Sequence, residues 1–178
     1  MTDEFTRMLN SARQQIPARP STSGLRVGIA VALLLVCLVV VLCVTMSPTP
    51  INLGREDAIR KLLTVLHDNG VPEWFGYSKL EFTANIAMFI PLGLLIGLAL
   101  PRGLGWLGLV LPPAFSACIE LTQALVLSQR TATIEDVIAN SLGGWIGLAA
   151  AWTIRLIVHR RDQKVIAQAR WDERWGSR

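Results

Sequence analysis

The chain has little charge and few of the residues that form disulfides, metal sites or catalytic centres. Asp, Glu, Lys and Arg make up 17% of its 178 residues, whereas 52% are hydrophobic. A soluble domain usually carries about 25% charged residues, so this composition argues against a soluble domain and favours an integral membrane protein. The three cysteines all fall within apolar runs, and there are two histidines. No disulfide, metal site or cofactor is therefore predicted.

Long apolar runs take the place of the missing charge. Residues 27–45, 82–101 and 137–154 are free of charge, and residues 103–127 are interrupted only by Glu120. Each run can span about 30 Å of hydrocarbon as a helix. The alternating polarity of a membrane β-barrel is absent. The predicted fold class is therefore all-α, a polytopic membrane protein with four transmembrane helices.

A short amphipathic segment separates the first two runs. In residues 54–70 the apolar side chains fall on one helical face, and an Asn-Gly pair closes the segment. It is too short and too charged to cross a membrane, so it predicts an amphipathic helix on the outer surface. His67 has no metal-ligand partner one turn away, which favours a structural role. A capping box at residues 78–81 predicts the start of the second span.

The basic residues indicate the orientation of the spans. Four arginines precede the first span, Arg102 follows the second, and seven Lys or Arg follow the fourth, so 12 of the 17 basic residues lie on one side. The positive-inside rule then places both termini in the cytoplasm, where basic flanks also favour anionic lipids and are not a sign of nucleic-acid binding. The predicted organisation is a flexible cytoplasmic tail (1–24), a transmembrane domain (25–158) and a basic cytoplasmic tail (159–178).

Polar side chains interrupt the spans at a similar depth. A charged side chain at the bilayer centre costs roughly 2.5–3.5 kcal/mol, so acids and amides in such segments point to a function. Counting about 1.5 Å per residue from Arg102 and Arg155 puts these groups about 22–28 Å from the cytoplasmic boundary, in one layer near the outer leaflet. The candidate site residues are Asn85, Glu120, Gln123, Arg130, Asp136 and Asn140.

Two interpretations of this layer remain open. In the first, hydrogen bonds and an ion pair with Arg130 form a structural clasp that fixes the register of the helices. In the second, the layer is a ligand site at the outer leaflet, which can include the clasp. Asp136 also has a purely structural explanation, because Thr133 and Asp136 can form a capping box at the start of the fourth span. Pro112-Pro113 in the third span favours either a kinked packing helix or a binding site beside unpaired backbone.

Pairs of small residues predict close contacts between helices. Gly93 and Gly97 lie on the face of the second span that carries Asn85, and Gly143 and Gly147 form a second pair on the fourth span. Glycines four residues apart let two helices approach closely. These four glycines are therefore predicted to be helix-packing positions.

Three spaced motifs contain most of these positions. They are Asn85-x3-Phe89-x-Pro91-Leu92-Gly93, Glu120-x2-Gln123 and Arg130-x5-Asp136-x3-Asn140-x2-Gly143-x3-Gly147. Their order and spacing resemble the VanZ-like family of small bacterial membrane proteins, named for a protein associated with teicoplanin resistance. The resemblance covers about residues 78–151, and the first span and the tails carry no part of it. It implies a bacterial plasma-membrane location and a role in the cell envelope or in glycopeptide susceptibility, but no reaction.

Two classes of function fit this site. The leading hypothesis is a non-enzymatic envelope protein that binds an amphiphile in the outer leaflet, such as an acyl-bearing glycopeptide or a lipid-linked cell-wall precursor. The alternative is a membrane enzyme that uses Glu120 or Asp136 as a general acid or base on a lipid-linked substrate. No nucleophile motif or metal-ligand spacing supports the enzyme. A transporter is less favoured, because the polar residues cluster on one side and do not trace a path across the membrane.

Overall fold

The computed structural model describes residues 24–46, 56–126 and 133–176, and every regular element in these ranges is a helix. This confirms the predicted all-α fold. The elements are α1 (Gly24–Thr45), α2 (Glu56–Asp68), α3 (Tyr77–Ala99), a single 3-10 turn (Arg102–Leu104), α4 (Leu107–Val126) and α5 (Ile134–Trp175).

Four of these helices, α1, α3, α4 and α5, are long and apolar enough to cross a membrane. Large apolar side chains cover the outside of the bundle, where a soluble protein would present polar groups. Such a surface is stable against lipid tails and not against water. The prediction of four spanning helices is confirmed. Examples of exposed apolar residues are Val36, Leu121, Leu125 and Ile146.

The last helix is much longer than a membrane is thick. α5 has 42 residues, which corresponds to about 63 Å at 1.5 Å per residue. The predicted boundary between the membrane domain and a separate tail at residue 159 falls inside this helix. Residues 156–175 contain no glycine or proline, so nothing in the sequence ends the helix before Gly176. All residues from 156 to 176 are exposed, and this part of α5 therefore extends beyond the packed bundle.

α3 and α5 make the most extensive contact between helices in the described part of the chain. The two backbones approach closely because glycines replace larger residues on both helices. A Cβ atom built on Gly93 would collide with the backbone of Gly144, and one built on Gly147 would collide with the carbonyl of Ile90. The predicted packing glycines are all buried: Gly93 and Gly97 on α3, Gly143 and Gly147 on α5.

An apolar cluster joins α1 and α4 to α3. Val41 of α1 and Ile119 of α4 are buried against Phe89 and Leu92 of α3. Phe89 also packs against the ring of Phe115, with 6.1 Å between the ring centroids. In a water-soluble protein, fully burying such a side chain contributes about 1.5–3 kcal/mol. In a membrane, where the alternative is contact with lipid tails, the stabilisation comes from close packing.

The proline pair in α4 is part of the packing between α4 and α5. α4 is continuous through Pro112 and Pro113, although Pro113 has no N–H to donate to the carbonyl of Leu109, four residues earlier. The indole Nε1 of Trp145 on α5 donates to this carbonyl oxygen at 2.9 Å. A side chain from the neighbouring helix thus replaces the missing backbone donor, which supports the packing interpretation of the proline pair.

α2 ends in the way that its Asn-Gly pair predicts. Gly70 has a φ of +94°, a left-handed conformation that favours glycine. The N–H of Val71 donates to the carbonyl of Leu66 at 3.0 Å, and the N–H of Gly70 donates to the carbonyl of His67 at 3.0 Å. These two bonds form a Schellman motif. No residue of α2 is buried, and its apolar side chains Ile59, Leu63 and Leu66 are only partly covered by the rest of the described chain.

The start of α3 differs from the prediction. The helix begins at Tyr77, one residue before the predicted Ser78 cap, and its N-cap is Gly76, which has no side chain to cap the helix. Tyr77 can adopt a helical conformation as well as Ser78 can, so the helix includes Tyr77 and begins directly after Gly76. Nearby, His67 Nε2 lies 3.1 Å from the carbonyl oxygen of Phe75, which joins α2 to the loop before α3.

Candidate functional site

Five of the six predicted site residues lie in one region where α3, α4 and α5 meet. We call these five residues and the three groups to which they bond the polar layer. Glu120, Gln123 and Asn140 are buried, and Asn85 and Asp136 are partly buried. Their partners are Thr45, Ser116 and Thr133.

Asp136 joins the start of α5 to α3. Thr133 is the N-cap of α5, and its Oγ1 accepts a hydrogen bond from the N–H of Asp136 at 3.3 Å, as the capping-box pattern predicted. The same hydroxyl donates to Asp136 Oδ2 at 2.8 Å. Asn85 Nδ2 donates to Asp136 Oδ1 at 2.6 Å. A carboxylate in the first turn also interacts favourably with the positive end of the helix dipole.

Glu120 completes the cap of α5 from a different helix. In a capping box the acid three residues after the cap accepts the N–H of the capping residue. Here Glu120 Oε2 on α4 accepts the hydrogen bond from the N–H of Thr133 at 3.0 Å, in the place of Asp136. Asp136 instead accepts a hydrogen bond from Asn85. Glu120 is only 8% exposed, so this bond also gives a buried carboxylate a donor. The cap therefore ties α4 to α5.

Two amides make the remaining bonds between helices. Gln123 Nε2 donates to the carbonyl of Thr45, the last residue of α1, at 2.8 Å. Asn140 Nδ2 donates to the hydroxyl of Ser116 at 2.9 Å. Together with the bonds at Asp136 and Glu120, these contacts connect all four long helices. Each net bond contributes about 0.5–1.5 kcal/mol.

One buried side-chain atom of the layer has no hydrogen-bond partner in the described part of the chain. Asn140 is 3% exposed, and its Oδ1 atom is buried without a donor. If the amide is turned around, Ser116 Oγ can donate to the oxygen, but the Nδ2 group then lacks an acceptor. Leaving a buried amide group unpaired costs about 1–3 kcal/mol, so such groups usually have a water molecule or a ligand as partner. Asn140 is therefore the residue at which a ligand group would gain most.

The predicted counter-ion lies outside the described residues. Arg130 falls between α4 and α5, in residues 127–132, and its ion pair with the acids of the layer stays a prediction. In the sequence it precedes Thr133 by three residues, and the N–H of Thr133 binds Glu120. Among residues 24–46, 56–126 and 133–176, no group of three His, Cys, Asp or Glu side chains could hold a metal ion.

Several partners were not predicted from the sequence. Ser116 could have been found, because it lies four residues before Glu120 and therefore on the same face of α4. The carbonyl of Thr45 and the N–H of Thr133 are backbone groups, and no residue type marks them. Arg155 was interpreted only as a topology signal, but its Nη2 donates to the carbonyls of Leu98 and Leu100 at 2.8 and 2.6 Å. It therefore stabilises the C-terminal end of α3 as well.

The VanZ/LLP1 family model matches residues 31–156, which is well over half of the chain. The match begins inside α1 and so extends beyond residues 78–151, the region on which the resemblance was based. It contains every residue of the polar layer. Neither a curated protein nor a solved structure matches the chain.

Proposed function

This chain belongs to the VanZ/LLP1 family of membrane proteins, and from that premise we propose how it acts. It is a protein of the bacterial plasma membrane with both termini in the cytoplasm. The polar layer lies at the outer leaflet and binds the polar part of an amphiphile, either a teicoplanin-type glycopeptide or a lipid-linked cell-wall precursor. Binding lowers the susceptibility of the cell to such glycopeptides without a chemical reaction.

The observation that carries this proposal is the buried, unpaired Oδ1 atom of Asn140. Each polar side chain of the layer makes at least one hydrogen bond, and these bonds hold the helices together. Asn140 alone has a buried polar atom without one. A peptide or sugar group of a ligand can supply the missing donor. The polar layer then combines both interpretations, because a structural clasp positions one unsatisfied group for binding.

The chemistry of the surrounding groups suits an amphiphile. The outside of α4 next to the layer is apolar, with Leu121, Leu125 and Val126 exposed, and these side chains can contact an acyl chain. Arg130, three residues before the cap of α5, can bind a phosphate or a carboxylate of the same ligand. A ligand with an acyl chain and a polar, hydrogen-bonding head would satisfy both surfaces.

An enzyme fits the contacts less well. A general acid or base must reach the substrate within about 2.6–3.2 Å. Oxygen atoms of Glu120 and Asp136 instead accept bonds from the N-cap residue of α5 and from Asn85. Both carboxylates thereby stabilise the assembly of the helices. We therefore favour binding over catalysis.

We expect single-cysteine variants to report both termini on the cytoplasmic side. Positions 10, 102 and 170 should be labelled by an impermeant thiol reagent only after the cells are opened, because they lie on the side that carries 12 of the 17 basic residues. Positions 65 and 130 lie on the opposite side and should be labelled in intact cells. The three natural cysteines are replaced by alanine or serine in the background. Labelling of position 65 only in opened cells would contradict the proposed orientation.

We expect Asn140→Leu to abolish the protective effect while the protein still folds. Leucine has a similar volume, and it removes the bond to Ser116 together with the buried unpaired oxygen, so the net effect on stability should be small, but a ligand would lose its partner. One such bond corresponds to about a tenfold loss of affinity or more. The measurements are the teicoplanin susceptibility of a host that is protected by the wild type, and the amount of folded protein in its membrane.

Ser141→Ala is the matched control for this substitution. Ser141 is the next residue on α5 and is also buried, but its hydroxyl donates to Val137 of the same helix. It should retain protection. Full protection by a well-folded Asn140→Leu variant would show that the unpaired oxygen of Asn140 does not bind a ligand.

A further inference from the structure

The part of α5 beyond the bundle, residues 156–175, carries an apolar stripe, and we call this part the extension. Within the bundle, α5 packs through the face that holds the buried Gly147 and Ala151. With 3.6 residues per turn, the residues 14 and 18 positions after Ala151 lie on the same face, and they are Val165 and Ala169. Ile166 lies beside them, and all three are exposed. The packing face of α5 therefore continues past the bundle, where no other part of the described chain covers it.

Three acids share this face with the three apolar residues, and we call the six residues the acidic stripe. Asp162 precedes Val165 by three residues, and Asp172 and Glu173 follow Ala169 by three and four, which places them on the same side of the helix. None of these acids takes part in an ion pair within the described ranges. The acidic stripe therefore fits a partner that is both apolar and basic.

We propose that a segment of the same chain, residues 5–14, docks on the acidic stripe as a helix. Residues 1–23 lie outside the described part of the chain, and their sequence has both of the required properties. Phe5, Met8, Leu9 and Ala12 have the i, i+3, i+4, i+7 spacing that places them on one face of a helix. Residues 5–23 also contain three arginines and no acid. This docking takes no part in the ligand binding proposed above.

The start of α1 lies at the end of the bundle from which the extension emerges. The last residue of α1, Thr45, is bonded to Gln123 near the end of α4, so α1 runs parallel to α4. α4 begins at Leu107, seven residues after Leu100, and Arg155 of α5 donates to the carbonyl of Leu100. The starts of α1 and α4, the end of α3 and the beginning of the extension are therefore at one end of the bundle.

The chain between the segment and α1 is long enough to reach the acidic stripe. Val165 is 10 residues after Arg155, or about 15 Å along the helix, and Ala169 is about 6 Å further. α1 packs on α3 and α3 packs on α5, so α1 lies at most about 20 Å from α5, which is two interhelical distances. The straight-line distance is then about 25–29 Å. Residues 15–23 can span up to about 30–32 Å when extended.

The charge and the position of the acidic stripe argue against a bilayer as its partner. An anionic lipid surface attracts basic residues and repels acids. α5 is continuous up to Trp175, so Asp172 lies about 25 Å beyond Arg155 along the helix. Surface charge is screened within about 8–10 Å. A segment linked to α1, in contrast, is present at a high effective concentration.

The test measures amide hydrogen exchange in residues 5–14 of the purified full-length protein, in phosphatidylcholine nanodiscs that hold one chain each. Docking protects these amides, because exchange then requires the segment to open. Leu9→Gln removes an apolar contact from the segment, and Ile166→Gln removes one from the acidic stripe. We expect each substitution to speed the exchange at least about tenfold relative to the wild type.

Trp171→Gln is the matched control for Ile166→Gln. Trp171 is also an exposed apolar residue of the extension, but five residues separate it from Ile166, which places it on the other side of the helix. It should leave the exchange unchanged, and an equal acceleration would overturn the proposal. Acceleration by Leu9→Gln alone would also overturn it, because the segment would then bind the bilayer. Protection only in nanodiscs with two chains would do so too, since a second copy would then supply the segment.

The charge of the acidic stripe gives an independent test. Replacing its three acids together by Asn or Gln should speed the exchange about threefold or more, and high salt should have a similar effect on the wild type. The matched control replaces three bases on the opposite side of the extension by Gln: Arg160, Lys164 and Arg174. All of these side chains are exposed and lie outside the bundle, so both triple variants should fold. Equal effects of the two triple substitutions would overturn the proposal.

Discussion

Gly147→Leu is expected to prevent α3 and α5 from packing, and Gly93→Leu is expected to have the same effect. A Cβ at either position would meet backbone atoms of the other helix, which cannot move aside as a flexible side chain can. Overpacking usually costs about 1–3 kcal/mol, and a collision with the backbone should reach the upper end of this range or exceed it. We expect a large fall in the amount of monodisperse protein after detergent extraction, and a clear fall in its thermal midpoint.

Gly28→Leu is the matched control for these two substitutions. Gly28 lies in α1, another long apolar helix, and no described atom outside that helix lies within 4 Å of a Cβ built on it. Leucine is also a better helix former than glycine, by about 0.8–1 kcal/mol. The control should therefore be as stable as the wild type or more so. If Gly93→Leu and Gly147→Leu match the control in yield and thermal midpoint, the close contact between α3 and α5 is wrong.

The helices and their packing faces could be predicted from the sequence because each depends on local patterns. Charge-free runs located the spans, the Asn-Gly pair located the end of α2, and the Thr133 cap located the start of α5. Pairs of glycines four residues apart marked the contact between α3 and α5 before any partner was known. The exception is the start of α3. The capping-box pattern predicted a cap at Ser78, but the helix begins at Tyr77 with Gly76 as its N-cap.

The partners in the polar layer could be predicted only in part. The depth estimated from the rise per helical residue placed Asn85, Glu120 and Asp136 at one level of the membrane. It did not predict which of these groups would form hydrogen bonds with each other. Glu120 binds a backbone N–H of Thr133 and Gln123 binds a backbone carbonyl, and such partners depend on how helices far apart in the sequence pack. The unpaired oxygen of Asn140 is likewise a property of the folded chain.

We expect the double substitution Glu120→Leu with Arg130→Met to fold but to lose protection against teicoplanin. Glu120→Leu alone removes the acceptor for Thr133 and leaves the predicted partner Arg130 without a carboxylate, so it should destabilise the protein. Breaking one side of a buried ion pair costs about 3–5 kcal/mol, whereas replacing both sides is often nearly neutral. The double variant should therefore regain much of the stability that the single variant loses, measured as the thermal midpoint.

Function separates the two interpretations of this pair. If the pair only holds the helices together, the folded double variant should protect the host against teicoplanin as well as the wild type does. If Arg130 binds the ligand, protection should be lost, and Arg130→Lys should already weaken it, because an ammonium cannot replace the two-pronged contact of a guanidinium. Glu135→Leu with Arg60→Met is the matched control, since both residues are exposed and the net charge changes in the same way. It should remain protective.

The most direct test of a binding site in the polar layer is the affinity of the purified full-length chain for teicoplanin, measured in lipid nanodiscs. A lipid-linked cell-wall precursor is measured in parallel, and Asn140→Leu is compared with Ser141→Ala. The account predicts saturable binding of at least one of these ligands, weakened about tenfold or more in Asn140→Leu and unchanged in Ser141→Ala. No saturable binding of either ligand by the folded wild type, or equal affinity in Asn140→Leu, would contradict it and would leave the polar layer with a structural role only.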